Sequence, residues 1–65
     1  MEQPRGIQGF ASIKDAEISA RTELGGVPFV IMCNRYGNYG WMAPVPYAER
    51  VAERNNLFIE KRSDG

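Results

Sequence analysis

Laid on itself, the chain repeats. Gly6-Ile7-Gln8-Gly9-Phe10 matches Gly37-Asn38-Tyr39-Gly40-Trp41 at an offset of 31, so that Gly-x-x-Gly-aromatic occurs twice. Ala16-Glu17-x-x-Ala20 then matches Ala48-Glu49-x-x-Ala52 at an offset of 32. An apolar run follows each segment, Val27-Pro-Phe-Val-Ile-Met32 in the first half and Leu57-Phe-Ile59 in the second. A period of about 30 residues is the length of one strand–helix–strand unit, and two such units fill 65 residues. The expectation is one small domain over residues 1–65, ordered from about residue 6 to 62, with flexible tails at 1–5 and 63–65.

The first helix has to be argued, because Ile18, Ala20, Thr22 and Leu24 alternate with Glu17, Ser19, Arg21 and Glu23 as a half-buried strand would. Ser12 followed by Asp15 forms a capping signal, however, and Gly25 stands where a helix ends in a left-handed residue. Ile13, Ala16, Ala20 and Leu24 fall on one stripe at 3.6 residues per turn, with Ile18 as the misfit. The second helix is plainer. Pro46 suits a first turn, Tyr47, Ala48, Val51 and Ala52 share a face, and Asn55-Asn56 stops it. Asn34-Arg-Tyr-Gly-Asn38 reads as a hairpin turn, and residues 57–62 as the last strand.

The order predicted is βαββαβ, an α+β chain in the small ferredoxin-like arrangement, with two helices on one face of a four-stranded antiparallel sheet. Such packing buries both apolar stripes, which helices of about 10 to 12 residues need in order to persist in water. Reading residues 17–24 as a strand gives the runner-up, a β-meander followed by one helix and a final strand.

Chemistry is narrowed by what the chain lacks. With no His and one Cys, it offers neither Ser-His-Asp nor Cys-His catalysis, no mixed Cys/His or four-Cys zinc site and no internal disulfide. Cys33 ends an apolar run and is expected as a buried thiol. Glu17, Glu49, Glu53 and Glu60 sit among Arg and Lys as on solvated helix faces, without calcium-loop spacing. The expectation is a protein that is not an enzyme and carries no cofactor or metal. No apolar run reaches the roughly 18 residues of a membrane span, and Met1-Glu2-Gln3-Pro4-Arg5 lacks the stretch of a signal peptide. A cytoplasmic protein with no membrane partner is expected.

Two helices on one face leave the other open. By the repeat, Phe29 and Ile31 point to the helices and Val30 and Met32 away. In the last strand Leu57 and Ile59 point inward, with Phe58, Glu60 and Arg62 outward. Phe10, Tyr39 and Trp41 then share the open face; the alternative turns Tyr39 and Trp41 inward as core. Tyr39-Gly40-Trp41-Met42 resembles the aromatic-Gly-aromatic-aliphatic centre of the third-strand motif in RNA-recognition motif domains, and Phe10 resembles that family's first-strand aromatic. The resemblance covers about a dozen residues. It implies a βαββαβ fold with bases stacked on Phe10, Tyr39 and Trp41. The two Gly-x-x-Gly segments also resemble the backbone-clamping loop of KH domains. They lead into strands and carry no basic residue between their glycines, so turn and bulge glycines are expected.

Eight Lys plus Arg balance eight Asp plus Glu. A neutral chain lacks the phosphate-neutralising charge that supplies most nucleic-acid affinity, although Arg35, Lys61 and Arg62 could form a local basic rim. Interfaces between proteins need no net charge and favour Trp, Tyr, Met and Arg. The function expected is a non-catalytic binding module, an inhibitor or adaptor of a larger protein or complex, of the kind phages and mobile elements often encode. Its contact residues are Arg35 and Tyr36 at the hairpin tip, with Tyr39, Trp41, Met32, Phe10 and Arg62. Single-stranded nucleic-acid binding through the aromatic face is the alternative, and a homodimer through that face or an edge strand would cover the same surface.

Overall fold

A computed structural model describes residues 3–63, with β1 (Arg5–Phe10), α1 (Ile13–Leu24), β2 (Val30–Cys33), β3 (Tyr39–Ala43), α2 (Val45–Asn55) and β4 (Phe58–Arg62) in chain order. This is the expected βαββαβ order, with two helices and a four-stranded antiparallel sheet, consistent with a small α+β ferredoxin-like fold. The helix boundaries follow their caps. Ser12 Oγ accepts from the Asp15 backbone N–H at 3.2 Å, and the Gly25 N–H closes α1 on the Arg21 carbonyl. Pro46 sits in the first turn of α2, and Asn56 ends that helix in the left-handed region. Residues 17–24 are therefore helical, and the meander is excluded.

The strands lie in the order β1-β3-β2-β4. β1 and β2 run parallel with β3 between them, and β3 and β4 run parallel with β2 between them. Both crossovers step the same way across the sheet while their strands point in opposite directions. Right-handed connections, the rule for such units, then place the two helices on opposite faces; a shared face would need the steps to run in opposite senses. Side-chain packing agrees. Phe29, Ile31, Trp41 and Ala43 pack with Ala16 and Ala20 of α1, whereas Val30 and Met32 pack with Ala48 and Ala52 of α2. Lys61 and Arg62, adjacent on β4, reach different helices: Lys61 Nζ lies 2.8 Å from Glu17 on α1, and Arg62 Nη2 lies 2.8 Å from Glu49 on α2. The expected single covered face is thus corrected to a sheet with a helix on each side. Val30 and Met32 are not turned to solvent, and Arg62 points toward a helix.

The repeated glycines meet in the β1–β3 ladder, where Gly6 stands opposite Met42 and Gly40 opposite Gln8. A Cβ on Gly40 would lie 2.8 Å from the Ile7 carbonyl oxygen and 3.1 Å from Gln8 Cα, so only glycine lets the two strands approach this closely. Gly9 has φ +99° and forms the bulge that shifts the register between Gln8 and Phe10. Bulge and packing roles therefore account for these positions. The ends differ from expectation where they are described. Arg5 belongs to β1, and Ser63 is clasped to Phe29, whose carbonyl accepts from the Ser63 N–H at 3.0 Å and whose N–H donates to Ser63 Oγ at 2.8 Å. The rest of the expected flexible tails, residues 1–2 and 64–65, lies outside the described residues.

Candidate functional site

Turn chemistry at residues 34–38 builds the most prominent polar and aromatic projection. The Asn34 N–H donates to the Asn38 carbonyl, the Gly37 N–H donates to the Asn34 carbonyl, and Gly37 takes φ +84°. Asn34 Oδ1 also accepts from the N–H groups of Tyr36 at 2.9 Å and Asn38 at 3.1 Å. An Asn side chain bridging its own turn replaces the solvent contacts of two backbone donors and holds the loop in one shape. Arg35 and Tyr36 lie at its tip. Tyr36 is 79% exposed, the most exposed large apolar side chain among the described residues, and Arg35 enters no ion pair among them.

The other expected contact residues are distributed differently. Trp41 is 1% exposed, packed beneath α1 with its Nε1–H donating to Ser19 Oγ at 3.0 Å. Met32 is 3% exposed, in the layer under α2. Both are core residues, because β2 and β3 are central strands covered on both sides, and neither can serve as a surface contact in this fold. Tyr39 and Phe10 are half-buried against the α1 layer, opposite each other across β1 and β3. The open aromatic face on which bases would stack on Phe10, Tyr39 and Trp41 is therefore not formed. Arg62 is exposed but engaged with Glu49. Of the seven residues, only Arg35 and Tyr36 stand together at a free surface.

Beside the tip lies a shallow groove with room for little more than a water molecule, lined by Met32, Cys33, Asn34, Asn38, Met42 and Leu57 among others. The Cys33 thiol donates to Glu60 Oε1 at 3.6 Å. Burial, and after it the neighbouring Glu60 charge, raises the thiol pKa above its ordinary value, which disfavours the nucleophilic thiolate. No three His, Cys, Asp or Glu side chains gather to hold a metal among the described residues, and no described helix is long and apolar enough to cross a membrane.

Ile7 on β1, 40% exposed, is an apolar surface residue that sequence reasoning passed over, whereas Phe58 on β4, 59% exposed, stands outward as expected. Ile7 lies on an edge strand, and the signal that could have found it is strand order, which no local pattern carries. Compared with protein-family models, curated proteins and solved structures, the chain matches none.

Proposed function

We propose that the chain works as a non-catalytic protein-contact module, inhibitor or adaptor, whose central contact is the hairpin tip carrying Arg35 and Tyr36. The observation that carries this reading is the exposure of Tyr36 on a turn braced by four hydrogen bonds to one residue, Asn34. An aromatic on a braced turn, beside a guanidinium that enters no ion pair among the described residues, loses little freedom on docking, and Tyr and Arg are the residue types on which binding energy concentrates. Neither side chain is used by the chain's own core, so both are available to a cleft on a larger protein.

The test is affinity capture with the wild-type chain, followed by titration of the captured protein with Tyr36→Ala and Arg35→Ala variants whose circular dichroism matches the parent. A central contact predicts a loss of about 2 kcal/mol or more, roughly 30-fold in Kd, for Tyr36→Ala. Unchanged affinity in both variants would reject the tip. Binding of labelled single-stranded RNA or DNA at low salt, lost in the same variants, would transfer the tip to the nucleic-acid alternative.

A further inference from the structure

The two edges of the sheet are treated differently. β4 carries Glu60, Lys61 and Arg62 in succession, two of them in ion pairs with the helices, and Glu60 is the extra residue of a bulge opposite β2. Both edges carry a bulge, Gly9 on β1 and Glu60 on β4, so the difference lies in charge, an ordinary means of keeping an edge strand from pairing with another chain. β1 has one charge, Arg5, already bonded to the Glu23 carboxylate and carbonyl of its own α1. The remainder is Gly6, Ile7, Gln8, Gly9 and Phe10, and all but Phe10 are exposed. Among the described residues, no backbone group beyond β3 bonds to the backbone of this strand.

We propose that the outer edge of β1 pairs antiparallel with β1 of a second copy of this chain, about a two-fold axis at Ile7, to make one continuous eight-stranded sheet. Symmetry restricts the register. A two-fold axis normal to the sheet keeps the α1 faces on the same side, so each residue must face one of matching face, and the axis must pass through a residue facing itself. At Ile7 the only large apolar side chain exposed on β1 meets its own copy. Arg5 then stands opposite Gly9, which has no side chain, and Gly6 opposite Gln8, so no like charges are brought together. Zero formal net charge adds no repulsion at longer range. On β4 an axis at Glu60 or Lys61 would oppose like charges and an axis at Ile59 would lay Glu60 against Phe58, whereas the β1 register brings together one apolar pair and leaves its single charge, Arg5, bonded within its own chain; the edge poorer in charge is the better partner for its own copy. One strand pair buries less than a standard interface, which places the dimer among weak, concentration-dependent associations. The hairpin tips would lie at opposite ends of the doubled sheet, so that a dimer could bridge two partners.

Sedimentation of the full chain tests the pairing. The mass should rise from 7.3 kDa toward twice that value as concentration climbs from about 10 μM to about 1 mM. In a Cys33→Ser background, Ile7→Cys should give a covalent dimer on mild oxidation, since opposed strand residues fall within disulfide reach, whereas Phe58→Cys should not. Independently of any variant, concentrating the wild-type chain should slow amide exchange in β1 and leave β4 unchanged. A mass fixed at 7.3 kDa up to about 1 mM, as for an edge reserved for another protein's strand, would overturn the proposal. So would protection or cross-linking that favours β4.

Discussion

The two layers flanking the sheet arise from the same repeat and are unequal. Each helix lays a pair of alanines on the strands, Ala16 and Ala20 from α1, Ala48 and Ala52 from α2, and these small side chains let the helices approach closely. Beneath α1 the space is filled by Trp41, Phe29 and Ile31, with Phe10 and Tyr39 at the margin. Beneath α2 it is filled by Val30 and Met32, with Met42, Val45 and Leu57 at the margin and no aromatic ring. Aromatic side chains bury the most area per residue, and methionine adapts to irregular gaps. The difference teaches that the shared pattern places the helices, whereas the filling puts the aromatic rings in one layer and leaves a methionine-lined groove in the other.

Truncation on each side separates the layers most sharply. Trp41→Ala should cost about 3–5 kcal/mol, enough to unfold a domain of marginal stability, whereas Met32→Ala should cost about 2 kcal/mol because the neighbouring groove lets its site relax. Equal midpoint shifts for the two variants in urea titrations would break the comparison. Ser19→Ala should come next, at about 1–3 kcal/mol, by leaving the buried indole N–H without an acceptor; Trp fluorescence should register the change. The smallest effect concerns Glu17. Its carboxyl pKa is held below the ordinary value of 4.5 chiefly by the hydrogen bond from Lys61, against a desolvation that raises it, with Arg21 adding to the lowering. A group depressed in the folded state contributes stability that is complete above the unfolded pKa and is lost as pH falls through the folded value. Thermal midpoints should therefore drop on acidification below 4.5 with a slope that Glu17→Gln reduces. An unchanged slope would show that the α1–β4 ion pair has no part in it.

Much of this was legible from local chemistry. Ser12, Gly25, Pro46 and Asn56 mark the helix ends because capping depends on neighbours in sequence, and Asn34 to Asn38 announces the hairpin for the same reason. Sidedness was misread, although a signal was present. Val30-Ile31-Met32 is apolar without interruption, the pattern of a strand covered on both faces, and Trp41-Met42-Ala43 repeats it. Treating alternate members as outward imposed a solvent face on central strands. Which strand occupies the centre depends on pairing between residues distant in sequence. Met32 was placed at the surface through that one omission, as was Trp41 in one of its two readings, the other of which put it in the core where it lies, whereas Arg35 and Tyr36 lie in a turn whose exposure local chemistry does reveal.

The order β1-β3-β2-β4 also means that neither half owns a sheet. The two strands of each repeat are held apart by a strand of the other, like the fingers of two clasped hands. A first half emerging alone during synthesis would have a helix and two strands with no hydrogen-bonded neighbour, and its apolar stripe would remain wet until residue 39 and beyond arrived. Neither half can melt while the other survives. Unfolding should therefore be all-or-none, and a nick in the linking hairpin should leave two fragments that regain structure only when mixed.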